Sequence, residues 1–437
     1  MAENLRTPRG TKDVLPEDQK YWQYISQVVF DKCESFGCDK ISTPIFEYAE
    51  VFTKSLGNSS DIVTKEMFEV KRATNPAQID SQDDEKKTMV LRPEFTAGIV
   101  RSYIENGMKI LPQPIKLYYE GPCFRYERPQ AGRLRQFNQF GVEVFGDLDP
   151  LIDSSVIYLA YQIMKKLGLA KNITIDINSV GCPSCRPKMK KKLTEYFEKF
   201  LPTLCTDCNR RYLENPLRIL DCKEEKCQKV VKGAPQIVDL LCNECKNHFK
   251  LVLENLDIMQ IPYNLNPNLV RGLDYYTKTV FEFFDSADTA RQSTLLGGGR
   301  YDSLVKMFGG PDTPAIGFSA GVERLVEKLK AAEIEVPIGG RAEVSIVQIG
   351  DKARKKCLPL LAELEDAGFK VTCIIGKDSL KSQLRMASRM KSKVAIIIGQ
   401  REVLDNSAIV RDMIDGVQET IKMDKLLNVL NAKLNKL

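Results

Sequence analysis

Histidine is almost missing from this chain: His248 is the single one in 437 residues. Any mechanism that needs two imidazoles is therefore excluded, including the HxGH pair of Rossmann-type adenylating enzymes. Long apolar runs are missing as well. No stretch of about 18 apolar residues occurs, so no membrane-spanning helix is expected. The first residues, MAENLRTPRGTKDVLPED, are polar and carry no apolar signal core, so a cytoplasmic protein is expected. The GxxxxGK[ST] loop is absent, and no GxGxxG leads from a strand into a helix. If this chain binds a nucleotide, arginines must hold its phosphates. Internal repeats and low-complexity tracts are also absent.

The most informative stretch that is present runs from Phe124 to Phe145, FRYERPQAGRLRQFNQFGVEVF. It reads as two strands joined by a charged loop. Side chains alternate along a strand, so Gln139, Gly141 and Glu143 share one face, while Phe140, Val142 and Val144 point the other way. The glycine is expected to leave room for a flat ligand between an amide and a carboxylate. Arginines near the loop, Arg125 and Arg133, have the fork geometry that phosphate oxygens accept. Arg271 in RGLDYYT and Arg324 in GVERL stand in similar glycine-flanked contexts. A helix start at Arg324 would add its free amides to the positive potential. A surface hairpin with solvated charges is the competing reading.

The charge is unevenly spread. Residues 341–437 hold 18 Lys and Arg against 12 Asp and Glu, a surplus equal to the net +6 of the whole chain. A basic C-terminal domain on a neutral body suits a polyanionic partner, although such an excess also serves solubility. Within that domain Lys377, Lys381, Arg385 and Arg389 recur every four residues, a helical stripe suited to phosphate contact or simply to water.

Eight of the 13 cysteines lie between Cys182 and Cys245. They are spaced as Cys182-x₂-Cys185, Cys205-x₂-Cys208, Cys222-x₄-Cys227 and Cys242-x₂-Cys245. Such pairs suit tetrahedral thiolate sites, with two ligands supplied by one short loop. Eight thiolates allow two structural Zn²⁺ sites, with a pairing that spacing does not reveal; buried free thiols are the alternative. His248 is expected to pack or to face solvent rather than to ligate. Beside the first pair, Arg186, Lys188, Lys190, Lys191 and Lys192 form a basic run, read either as a nucleic-acid contact or as a solvated helix face.

Composition shifts at Gly181 and strand-like patterns return near residue 260. This predicts an α+β chain. A strand-rich domain begins over 1–180, is interrupted by an inserted helical Cys-rich domain over 181–259, and resumes over 260–330. A linker at 331–341 leads to an α/β domain over 342–437 with a largely parallel sheet. Residues 73–87 read as a polar hairpin tip.

Several segments together resemble the bacterial-type histidyl-tRNA synthetases, a family of class II aminoacyl-tRNA synthetases. TPRGTKDVLPED is similar to the family's N-terminal segment, and ISTPIFEYAEVF to motif 1, which builds the dimer interface. The 124–145 stretch resembles motif 2. LGGGRYDSL with PAIGFSAGVERL resembles motif 3, and RGLDYYTKTVFEF the histidine-specific segment. The resemblance implies an antiparallel class II sheet with flanking helices, a C-terminal anticodon-binding domain, and a homodimer. It implies ATP with Mg²⁺, L-histidine and tRNA(His) as substrates, with no membrane. By the same resemblance Glu94, Thr96 and Gln139 hold the substrate amino group, while Glu143 and Tyr276 bracket the imidazole and Tyr275 lines the pocket. Arg125 and Arg271 would act on the α-phosphate, and Arg133 and Arg324 on the distal phosphates. One departure stands out: the family commonly has glycine where this chain has Phe95, which is counted here among the histidine-binding residues and whose ring either narrows the amino-group side of the pocket or turns into the core. A second implied reading is the non-catalytic, synthetase-like regulatory subunit of ATP phosphoribosyltransferase, which generally lacks the C-terminal domain.

Overall fold

The computed structural model describes residues 5–56, 62–71, 88–128, 133–273, 275–286, 294–337, 342–374 and 379–434. The expected hairpin tip at 73–87, and Lys377, lie outside them. The chain divides into two compact units, Met1–Val336 and Pro337–Leu437.

The first unit is built on an eight-stranded sheet. In spatial order its strands are Asp39–Lys40, Ile115–Phe124, Gln136–Phe145, Ala315–Gly321, Thr294–Arg300, Thr277–Asp285, Ile173–Ser179 and Asn264–Leu265. The six central strands pair antiparallel, and the two short outer strands pair parallel. Alternation sends Phe140, Val142 and Val144 into one core, with Phe281, Phe283 and Phe318 from neighbouring strands. Helices Pro16–Ser35, Pro150–Lys166, Asn243–Ile258 and Val322–Ala331 supply residues to that same core. Asp149 starts the second of these helices, accepting from the amide of Leu151 at 2.8 Å ahead of Pro150. The opposite sheet face is left for the cleft.

The cysteine-rich stretch is helical from Arg186 to Ile258, and its core is continuous with that around Phe95, Tyr119 and Tyr276. Its last helix, Asn243–Ile258, turns Phe249, Val252 and Leu256 into the core on the far side of the sheet. His248 on this helix is buried and donates from Nε2 to Asp153 at 2.9 Å. Asp153 also accepts from Arg300 Nε at 2.9 Å.

The second unit has a five-stranded sheet ordered Val371–Cys373, Val344–Gln348, Val394–Ile398, Ser407–Asp412 and Gln418–Lys422. Its first three strands are parallel, and the last two are antiparallel. The expectation of a largely parallel sheet is thus only half right. The tight turn after Asp412 reverses the chain: Gly416 takes φ +78°, and Asp412 accepts from the amide of Ile414 at 2.8 Å. Helix Leu380–Arg389 carries Lys381, Arg385 and Arg389 exposed on its surface.

Candidate active site

A cleft of about 750 Å³ opens on the sheet face that bears Gln139 and Glu143. Glu143 forms its floor, 1% exposed. Thr96 Oγ1 donates to Glu143 Oε1 at 2.7 Å, Tyr301 OH donates to Oε2, and Tyr119 OH lies 3.4 Å from Oε1. The carboxylate rests against Gly317, where an added Cβ would sit 1.7 Å from Oε2. Burial pushes Glu143 up to about 8, against the opposing pull of the Tyr301 and Thr96 hydroxyls. A buried carboxyl held by hydroxyls in this way can exchange a hydrogen bond with one ring nitrogen of a heteroaromatic ligand.

Glu94 lies at the amino end of helix Thr96–Glu105 and accepts from the amides of Thr96 and Ala97 at 2.7 and 2.8 Å. Burial raises this carboxyl above the usual range, and the two amides oppose the rise. Gln139, whose Oε1 lies 3.4 Å from Cys123 Sγ, lines the same wall, as do Tyr275 and Tyr276. The two tyrosine rings sit 4.7 Å apart, and the Arg271 guanidinium lies 5.6 Å from the Tyr276 ring centre.

All four expected arginines line the cleft. Arg271 is ion-paired with Glu282 and fills the space above Gly297, where a Cβ would come within 2.5 Å of its Nη1. Burial works against the charge of Arg271, but the Glu282 carboxylate beside it and its contacts with the tyrosines outweigh this and raise its pKa, so it stays charged. Arg125 donates from Nε to the carbonyl of Pro93 at 2.9 Å, and Arg133 pairs with Glu127 at 2.9 Å. Arg324, near the amino end of helix Val322–Ala331, bonds to the carbonyl of Thr294. Burial and the neighbouring Arg133 lower its pKa.

Two expectations require correction. Phe95 does not line the cleft. Its ring is 2% exposed, stacked on Tyr119 at 4.3 Å with Arg92 over its other side at 3.8 Å. Arg92 is locked there by the carbonyls of Pro122 and Thr43, both at 2.8 Å. The room above Gly141 is not left for a ligand either, because Tyr119 on the paired strand fills it: an added Cβ would meet its hydroxyl at 2.3 Å.

Sequence reasoning missed Tyr119, Tyr301 and Glu282. Tyr119 sits directly across from Gly141 in the strand pair, so the register carried a signal once that hairpin was recognised. Residues Arg218, Asp221 and Lys223 from the cysteine-rich stretch also line the cleft. No apolar periodicity marks them.

The eight cysteines gather into two quartets: Cys182, Cys185, Cys242 and Cys245, and Cys205, Cys208, Cys222 and Cys227. The pairing is nested, first pair with last and second with third. Within each quartet all sulfurs lie within 4.8 Å of one another. The Cys182–Cys185, Cys182–Cys242 and Cys205–Cys222 separations are 3.6, 3.9 and 3.9 Å. A tetrahedral zinc with bonds of about 2.3 Å sets sulfurs about 3.8 Å apart. The amides of Cys242 and Cys205 point at Cys185 and Cys227 sulfurs, each at 3.2 Å. Burial raises the Cys182 thiol, but the Cys185 amide and neighbouring thiols outweigh it and bring it down to about 7. These residues fit a thiolate-bound metal ion. No histidine joins either quartet.

Similarity to known proteins extends over nearly the whole chain. Residues 10–184 and 218–325 match the family model for histidyl-tRNA synthetase, and residues 343–433 match the anticodon binding domain. A histidine–tRNA ligase of Desulforamulus reducens is 43% identical over 426 residues, covering 98% of this chain and 99% of the relative. One from Acetivibrio thermocellus is 43% identical over 425 residues, covering 97% and 99%. The crystal structure of apo histidyl-tRNA synthetase from S. aureus is similar with a TM-score of 0.80 and 36% identity, over 97% of this chain and 99% of that one.

Proposed function

The chain belongs to the histidyl-tRNA synthetase family, and on that premise we propose how its cleft carries out the reaction. It is a histidine–tRNA ligase: it activates L-histidine with ATP to histidyl-adenylate and transfers the histidyl group to tRNA(His). The observation that carries our reading of the residues is that Glu143, Tyr276, Arg125, Arg271 and Arg324 line one cleft.

Glu143 and Tyr276 bracket the imidazole, each pairing with one ring nitrogen, so a side chain without those nitrogens leaves buried groups unpaired and is rejected. Glu94, Thr96 and Gln139 hold the amino group. ATP enters as its magnesium complex, with Arg133 and Arg324 on the distal phosphates. Arg125 and Arg271 face the α-phosphate. The histidine carboxylate attacks the α-phosphorus in line and the bond to pyrophosphate breaks. No general base is needed, since the attacking carboxylate is already ionised. The side chains contribute positioning and charge stabilisation at the phosphate. A hydroxyl of the terminal tRNA ribose then attacks the acyl carbon, and AMP leaves.

Each quartet holds one structural Zn²⁺, supported by the sulfur spacing. The enzyme works in the cytoplasm as a homodimer. Exposed Ile45, Phe46 and Tyr48 in the motif 1 segment support an interface there, and a sedimentation mass of one chain would refute it. Among the described residues no helix is long and apolar enough to cross a membrane.

Glu143→Gln tests the ring-binding role. It keeps the shape and exchanges the carboxyl for an amide whose hydrogen-bonding groups differ, so the KM for histidine in ATP–pyrophosphate exchange is expected to rise about ten- to hundredfold. An unchanged KM would remove Glu143 from that role.

A further inference from the structure

The cysteine-rich stretch meets the catalytic sheet at the segment that presents Tyr276, and three different contacts converge there. Arg186, the first residue of helix Arg186–Phe197, donates from its guanidinium to the main-chain carbonyl of Tyr276. Val180 and Gly181 exchange two main-chain bonds with Lys278, both 2.8 Å: the amide of Val180 to its carbonyl, and its amide to the carbonyl of Gly181. Glu244 pairs with the Lys278 ammonium at 3.1 Å. Each contact lies beside a ligand of the first quartet. Gly181 precedes Cys182, Arg186 follows Cys185, and Glu244 sits between Cys242 and Cys245.

The segment they grip is held in a demanding conformation. Lys278 has φ +50°, the left-handed region that a side chain rarely adopts without outside support. The Tyr276 ring rests against Gly299, where an added Cβ would come within 2.9 Å of Cδ1. With the sheet so close on one side, the position of the phenol in the cleft follows the position of its own main chain. Arg186 is thereby set apart from the basic run in which it stands. Lys188, Lys190, Lys191 and Lys192 are exposed, whereas Arg186 is turned inward to the catalytic body.

We propose that the Cys182–Cys185–Cys242–Cys245 centre is a positioning device for the histidine pocket: it fixes Arg186, Arg186 fixes the Tyr276 main chain, and the affinity for the amino acid depends on both. Arg186 is a positioning residue that acts through Tyr276. This inference rests on the reading of Glu143 and Tyr276 as the imidazole site and of the quartet as a zinc centre.

The test uses the full-length protein and three variants, Arg186→Met, Arg186→Lys and Glu143→Gln. Four readouts are taken: zinc per chain, thermal midpoint, and the KM for histidine and for ATP in pyrophosphate exchange. Arg186→Met keeps the packing of the stem and removes the donor. It is expected to retain zinc and the parental midpoint, and to raise the KM for histidine about tenfold with the KM for ATP unchanged. Arg186→Lys restores a donor and is expected to recover most of that loss. An unchanged histidine KM in Arg186→Met, or equal rises for histidine and ATP, overturns the proposal. A parent protein without zinc also overturns it, by removing the fixed point. An unchanged histidine KM in Glu143→Gln overturns instead the reading of the pocket on which it rests.

Discussion

At the scale of single residues, Phe95 and Glu143 divide the work between core and cleft. Phe95 stands between Glu94 and Thr96, yet its ring is clamped between Tyr119 and Arg92 and stays out of the cleft wall. Phe95→Ala is therefore expected to cost about 3–5 kcal/mol of stability, as for other buried aromatics, and to leave the histidine pocket unwidened. Denaturation and the KM for histidine check the two halves of that statement. Glu143 is the reverse case, a buried carboxyl whose acid range is pushed up to about 8 from 4.5. Its raised pKa stabilises the fold fully below about 4.5, and that contribution declines as pH rises and is lost above about 8. The melting temperature of the ligand-free enzyme is expected to fall over this window, and Glu143→Gln should flatten the fall. A parallel pH profile in the variant would contradict the assignment. What was legible at this scale was the alternation that puts Gln139 and Glu143 on one face. Tyr119 and Tyr301 were not, because Tyr119 reaches Glu143 from the paired strand and Tyr301 from just past the end of Thr294–Arg300, and only the folded sheet brings them together. The register of that strand pair explains why Gly141 accommodates a phenol of the protein rather than a ligand.

At the scale of elements, the two cysteine quartets show where local pattern stops being informative. The spacing announces four ligand pairs, but the nested pairing is decided by how the helices between Arg186 and Ile258 fold back on one another. Metal analysis of the purified protein is expected to find two zinc ions per chain. A strong chelator should lower the melting temperature as the ions leave, since a metal held there would link segments 60 and 17 positions apart. A stable, metal-free preparation would contradict this. The C-terminal sheet teaches the same lesson differently. The βαβ signals gave the parallel half correctly, while the closing antiparallel pair was encoded in a short turn at Asp415 and Gly416 whose weight is visible only in the folded chain.

At the scale of the whole molecule, the chain divides into two units, and the basic second one matches the anticodon binding domain. A cleft that keeps Glu143, Tyr276 and Arg271 together argues against the regulatory-subunit reading. The catalytic strategy is one of arrangement. On our reading, buried acids and phenols select the amino acid, and the cleft arginines, Arg271 among them seated over Gly297, meet the nucleotide. The most direct test is exchange of labelled pyrophosphate into ATP by the purified full-length protein with magnesium and one amino acid at a time. Exchange with L-histidine and none with L-phenylalanine is the predicted result. A folded protein that shows no histidine-dependent exchange, or that exchanges equally with phenylalanine, would contradict the account.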